Sequence, residues 1–162
     1  MDALESWHDF NVAVVGATAA LAGLVIVAAS VNIGYIVKAP SLTSRLGAAI
    51  SGLVLALVVS STGLIPQIDA VAHGALVAVA ALGALAFPIS AARRVYENHD
   101  PANRARPAKV LVALLAPVAY LVGGVLLMIG APGGYALFAA GAVVAIVASL
   151  LVSWVVLVEV LR

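Results

Sequence analysis

The stretch of sequence that decides the fold is residues 110–158, VLVALLAPVAYLVGGVLLMIGAPGGYALFAAGAVVAIVASLLVSWVVLV, which contains no charged residue. A helix needs about 20 apolar residues to cross the roughly 30 Å hydrocarbon core of a bilayer, so this stretch is too long for one crossing. The sequence APGG at 131–134 interrupts it, and such a cluster of proline and glycine typically breaks a helix. We therefore predict two transmembrane helices here, at about 109–130 and 134–160.

The rest of the chain contains three further predicted spans. Residues 10–37 carry no charge, and the acidic flank and length of this stretch favour a retained helix over a signal peptide. Between Arg45 and Arg93 the only ionisable residues are Asp69 and His73, and IPQID at 65–69 divides the stretch into two helices. The predicted fold is all-α, one polytopic transmembrane bundle with spans at about 10–37, 46–65, 70–91, 109–130 and 134–160 and a loop at 92–108.

The composition excludes several classes of protein and site. Of the 162 residues, 65% are hydrophobic and 9% are charged, which leaves too little polar surface to coat a soluble globule. The net charge of +1 and the lack of a basic arm argue against a nucleic-acid partner. The chain has no cysteine, so disulfides and cysteine-held clusters are excluded. We expect no cofactor, and as partners the lipid bilayer and either a second copy or another membrane protein.

The distribution of charge predicts the orientation. With five spans, every Lys and Arg falls on one side of the membrane, and positive charge in short loops marks the cytoplasmic side. The N-terminus is therefore predicted to lie outside and the C-terminus in the cytoplasm. We expect the membrane to be a bacterial plasma membrane, because the dominance of alanine, valine and glycine fits a GC-rich bacterial genome. The positive residues are Lys38, Arg45, Arg93, Arg94, Arg104, Arg106, Lys109 and Arg162, and the opposite side carries Asp2, Glu5, Asp9 and Asp69.

Small residues mark the predicted packing faces. Lipid tails are as apolar as leucine, so helices in a bilayer associate where small side chains let their backbones approach. We expect such faces to contact other helices of the chain or another subunit, with a pore lining as the alternative. The residues are Gly16, Ala20 and Gly23 on span one, Gly52, Ala56 and Ser60 on span two, and Gly141, Ala145, Ser149 and Ser153 on span five.

Two prolines inside spans, Pro88 and Pro117, each leave the carbonyl four residues earlier without its helical donor. Tyr120 lies one turn after Pro117, and its hydroxyl needs a partner because an unpaired hydroxyl is costly in hydrocarbon. The carbonyl freed by Pro117 and the hydroxyl of Ser149 are the candidates. This region is interpreted either as a kinked helix with a satisfied tyrosine or as a hinge in a moving element.

The ionisable residues near the membrane indicate no catalytic or metal site. Glu159 is expected to reach the inner interface and meet the positive residues there. On the other side, a metal ion would need three or four converging ligands, and we interpret the polar residues there as interfacial, with acidic groups favouring helix N-termini. Motifs such as His-Glu-x-x-His and Gly-x-Ser-x-Gly are absent from the sequence. These polar residues are Glu5, His8, Asp9, Asp69 and His73.

Several stretches of the sequence carry a resemblance to a known family: 7–10 (WHDF), 15–17 (VGA), 23–25 (GLV), 30–32 (SVN), 59–61 (VSS), 65–67 (IPQ) and 153–162 (SWVVLVEVLR). Through them nearly the whole chain resembles a family of small, largely uncharacterised bacterial membrane proteins, common in actinobacteria, some of which are labelled modulators of a membrane protease. The resemblance implies a stand-alone five-span membrane protein. Ser153 stands where members of that family often have asparagine, just before the late tryptophan.

The expected function is non-enzymatic: an integral membrane protein that acts through helix–helix contacts, as a homo-oligomer or as an accessory subunit. The alternative is a homo-oligomeric channel or small transporter. A channel needs a continuous polar or small-residue path, whereas a subunit needs a small-residue face that its own helices leave uncovered.

Overall fold

A computed structural model describes residues 5–38, 40–97, 106–131 and 133–160. Five segments are helical, long enough and apolar enough to cross a membrane, and the described residues contain no strand. The predicted all-α fold with five such helices is confirmed. A 3-10 turn (Glu5–Trp7) precedes α1 (His8–Val31), α2 (Ile33–Ile36), α3 (Pro40–Thr62), α4 (Ala70–Ala84), α5 (Ala86–Glu97), α6 (Arg106–Met128) and α7 (Gly134–Val160).

The basic loops are shorter than predicted. α3 begins at Pro40 instead of near 46, because proline has the fixed φ that suits the first turn of a helix and has no N–H to leave unpaired there. The predicted loop at 92–108 is helical at both ends, since α5 continues to Glu97 and α6 begins at Arg106. Residues 98–105 lie outside the described residues.

The first predicted span, 10–37, is divided in two. α1 ends at Val31, and Asn32 separates it from the short α2. The Asn32 side-chain amide donates to the carbonyl of Ala28 at 3.0 Å, which satisfies one of the carbonyls left open at the helix end.

The third span consists of α4 and α5 with a break at Leu85. Pro88 has no N–H, so the carbonyl of Ala84 lacks its helical donor. The hydroxyl of Ser51 on α3 donates to this carbonyl over 3.5 Å. The break lets the two halves contact different neighbours: α4 packs mainly against α6, whereas α5 contacts α3 and α6.

At the other end of the bundle, a capping side chain begins α4 and two glycines form the turn between α6 and α7. The Asp69 carboxylate caps α4 by accepting from the backbone N–H groups of Val71 at 2.7 Å and Ala72 at 2.9 Å. Gly130 and Gly133 have φ values of +67° and +98° in the turn between α6 and α7. Glycine adopts this left-handed backbone without the steric penalty of a side chain.

The bundle has a basic end, where Arg45 and Lys109 lie, and an acidic end, where Asp9 and Asp69 lie. α3 is the central helix and contacts every other span, α6 packs between α4 and α7, and α1 lies at the periphery against α3. Two apolar clusters form the core. The cluster towards the acidic end includes Ala56, Val77, Tyr120 and Phe138, and the other includes Val25, Leu46, Leu53 and Val156.

Candidate functional site

The small residues of α7 face the interior of the bundle. Gly141 lies against the ring of Tyr120, where an added Cβ would be 3.1 Å from Cε2. Ala145 is buried and faces α3, since a Cβ added to Gly52 would be 3.8 Å from the Cβ of Ala145. This seam therefore joins α7 to α3 and α6 within one protomer.

The two serine hydroxyls of this seam differ in their hydrogen bonding. Ser149 donates to the carbonyl of Ala49 on α3 at 3.0 Å. The hydroxyl of Ser153, one turn later, is buried without a hydrogen-bond partner among the described residues. Ala56 and Ser60, on α3, are also buried.

The small residues of α1 are placed differently, because they point away from the bundle. A Cβ added to Gly16 or Gly23 would meet no atom within 4 Å. α1 is also the least buried of the five spans. In its apolar 18-residue stretch 17% is buried, compared with 39% in α3. The residues of this α1 small-residue face, all exposed, are Ala13, Gly16, Ala17, Ala20 and Gly23.

A close helix contact joins α4 and α6 at residues outside the predicted packing set. A Cβ added to Gly74 would be 2.6 Å from the carbonyl oxygen of Gly124, and one added to Gly124 would be 2.7 Å from that of Gly74. The two backbones therefore touch directly. The sequence contained a signal for this contact, because Ala70, Gly74 and Ala78 are spaced four apart.

Aromatic side chains fill the bundle towards the acidic end. The ring of Phe138 lies 5.5 Å from His73 and 5.9 Å from Tyr120, with Tyr135 at the edge of the cluster. His73 lies one turn after the cap residue Asp69 and is only 1% exposed, so it is buried inside the bundle. Its Nε2 lies 3.2 Å from the carbonyl oxygen of Val59, and because a carbonyl can only accept, Nε2 donates. Satisfying one ring nitrogen on a backbone carbonyl lets the helix turn His73 inwards.

The polar partner predicted for Tyr120 is not found. Its hydroxyl is buried and has no hydrogen-bond partner among the described residues, and Ser149 donates to α3 instead. α6 continues through Pro117 without interruption. Glu159 belongs to the last turn of α7, and its side chain lies outside the described residues.

A cavity of about 250 Å³ lies in the basic half of the protein, between α3, the end of α4, α5, α6 and α7. Alanine, glycine, valine, leucine and proline supply most of its walls. Its lining on α3 extends from Arg45 to Leu55, about 15 Å along the helix. We call it the bundle cavity. Tyr120, one turn beyond the lining residue Pro117, and the adjoining Phe138 are buried and close its inner end.

The fold and composition define a class, a multi-pass helical bundle of the membrane type. Comparison with family models, curated proteins and solved structures finds no match to this chain. Membership of the five-span bacterial family therefore stays a prediction. Within the described ranges, no three His, Asp or Glu side chains are grouped so as to hold a metal ion. The features left to consider are the α1 small-residue face and the bundle cavity.

Proposed function

We propose that this chain is a non-enzymatic integral membrane protein of the bacterial plasma membrane that acts by helix–helix assembly, forming a homo-oligomer through α1. Its N-terminus lies outside and its C-terminus in the cytoplasm, the orientation that the segregated positive charge favours. The observation that supports the proposal is the α1 small-residue face, which no other helix among the described residues covers.

The α1 small-residue face and the face of α1 that packs against α3 lie on different sides of the helix. At about 100° per residue, the α1 small-residue face covers about 120° of the helix surface. The buried residues Val14, Thr18 and Val25 lie on the other side and pack towards α3. A lipid-facing surface gains nothing from alanine and glycine, whereas a second helix can approach such a surface closely. The face is therefore suited to a helix from another protomer.

A second copy of the chain is the partner that fits best. The partner must present an apolar transmembrane surface, because α1 has no charged residue from Phe10 to Val31. The side chains on that surface must also be small, so that the two helix backbones can approach closely. α1 itself meets both conditions. A two-fold axis beside α1 would bring the same patch of two protomers together, as closed dimers require. The experiments must distinguish this homo-oligomer from an accessory subunit that binds a different membrane protein.

A channel or small transporter is less well supported. The bundle cavity occupies only the basic half of the protomer, and the rings of Tyr120 and Phe138 fill the space beyond it. Transport would therefore require either a rearrangement of this aromatic packing or a path between protomers.

The test compares two Ala→Leu substitutions at exposed positions. Ala20→Leu places a bulky side chain in the α1 small-residue face, and Ala140→Leu makes the same change on the exposed side of α7. We expect the parent protein and Ala140→Leu to be oligomers in mild detergent, and Ala20→Leu to be a folded monomer. Light scattering gives the mass and circular dichroism the fold.

A matching test in membranes uses the absence of native cysteine. A single cysteine at Gly23 should form a disulfide between protomers, whereas one at Val143, exposed on α7, should not. A parent protein that is monomeric in both assays contradicts the proposal. A stoichiometric companion that dissociates only from Ala20→Leu would replace the homo-oligomer with an accessory subunit.

A further inference from the structure

We infer that the bundle cavity is a binding site for one acyl chain of an anionic phospholipid, with the phosphate held at its rim by Arg45 and Lys109. The inference does not depend on the proposed assembly, because no residue of α1 lines the cavity.

The walls of the cavity suit a hydrocarbon chain. Apart from the two cations, the lining residues are apolar except for Ser51 and Ser149. Both hydroxyls are already used inside the bundle, with Ser51 donating to Ala84 and Ser149 to Ala49. A polar ligand would therefore find few donors in the interior, whereas an apolar chain gains contacts without displacing a hydrogen bond.

The size of the cavity also fits one chain. A cavity of about 150 Å³ holds benzene, so in proportion the 250 Å³ of the bundle cavity holds about ten carbons. Its length of about 15 Å along α3 equals half of the roughly 30 Å hydrocarbon core, which is the depth of one leaflet. A chain inside it would lie parallel to the helices, as acyl chains in the adjoining leaflet do.

The rim selects the charge of the headgroup. Arg45 is half-buried and forms no ion pair within the described part of the chain. Lys109 supplies a second cation across the mouth from α6, and the described lining contains no carboxylate. The guanidinium group of Arg45 matches phosphate geometry particularly well.

A phospholipid satisfies both parts of the site at once. Arg45 and Lys109 lie within the first two turns of α3 and α6, and the proposal places both at the level of the lipid phosphates. One chain can enter the cavity while the second stays in the bilayer. Each basic residue near an anionic surface raises affinity by about fivefold, so the two rim cations predict at least a tenfold preference for an anionic over a zwitterionic headgroup.

The experiment measures lipid binding to the purified full chain in a non-ionic detergent. The probes are phosphatidylglycerol and phosphatidylcholine with the same acyl chains, read by the rise in melting temperature and by native mass spectrometry. We expect one tightly held phosphatidylglycerol per protomer, with phosphatidylcholine at least tenfold weaker. Arg45→Gln should weaken phosphatidylglycerol binding at least fivefold. Arg94→Gln, the same change at an exposed residue outside the cavity, should leave binding as in the parent.

A second pair of variants tests whether the acyl chain of the lipid lies inside the bundle cavity. Ala113→Leu fills the cavity from α6 and should abolish retention of phosphatidylglycerol, and Ala148→Leu does the same from α7 if the first variant fails to fold. Unchanged binding in a folded cavity-filled variant overturns the proposal. So does an equal loss in Arg45→Gln and Arg94→Gln, which indicates surface attraction alone, or equal binding of the two phospholipids. Oleate that binds more tightly than phosphatidylglycerol replaces the phospholipid with a fatty acid.

Discussion

The contact between Gly74 and Gly124 makes a sharp prediction about stability. In Gly124→Ala the new Cβ would lie 2.7 Å from the carbonyl oxygen of Gly74 and 3.2 Å from the backbone nitrogen of Ala78. Both neighbours are backbone atoms of α4, so no flexible side chain can move aside. α4 and α6 must separate until the shorter contact reaches 3.4 Å, which is a shift of 0.7 Å (3.4 − 2.7).

The cost of this separation follows from lost dispersion contacts. A gap of this size forfeits about a third of each contact of about 0.15 kcal/mol, and a seam with about 50 contacts loses about 2.5 kcal/mol. Replacing glycine by alanine inside a helix returns about 1 kcal/mol through helix propensity. The expected net loss in the free energy of unfolding is therefore about 1.5 kcal/mol.

Gly83→Ala is the matched control, because a Cβ added to Gly83 meets no atom within 4 Å. It should gain up to about 1 kcal/mol from helix propensity alone, so the two variants should differ by about 2.5 kcal/mol. Equilibrium unfolding in mixed micelles, followed by circular dichroism, measures both. If Gly124→Ala is as stable as Gly83→Ala, the backbones of α4 and α6 do not touch and the reasoning fails.

Other substitutions test single interactions by the same unfolding measurement. Ser149→Ala should lose about 0.6 kcal/mol with its interhelical hydrogen bond, whereas Ser153→Ala should lose nothing because its hydroxyl has no partner among the described residues. A loss in Ser153→Ala contradicts this. Tyr120→Phe removes a buried hydroxyl unpaired within the described part of the chain, and should stabilise the protein by about 1 kcal/mol; a destabilised variant would reveal a partner. Asp69→Ala removes the cap of α4 and should cost about 1 kcal/mol, and an unchanged stability would show that water replaces it. In intact cells, an impermeant thiol reagent should label a cysteine at 69 but not one at Arg94, and the reverse pattern overturns the orientation.

The number of spans could be predicted because hydropathy and charge vary directly along the chain. The break at 65–69 lies between α3 and α4, and Ala131 and Gly133 of the second break lie between α6 and α7. The division of the third span at Leu85 was not predicted, although Pro88 was recognised as freeing a carbonyl. That carbonyl accepts from Ser51 on another helix, and the sequence does not specify which helices are neighbours.

The same limit explains the outcome for the small residues. Gly16 and Gly141 each begin a run of small residues with nearly the same spacing, yet one run faces outwards and the other faces Tyr120. Spacing shows which residues share a helix face, not whether another helix covers that face. The bundle cavity was beyond prediction for a related reason, because its walls come from four of the five spans.

The hydrogen bond from Ser149 to Ala49 has a consequence for biosynthesis, because its two residues are 100 positions apart. At about 5–20 residues per second, the ribosome needs about 5–20 s to make the chain between them. Until α7 has been made, the surface of α3 that receives it stays uncovered by that helix. Arrival of the last helix completes both the α3–α7 seam and one wall of the bundle cavity, so a nascent chain that stalls before α7 has neither.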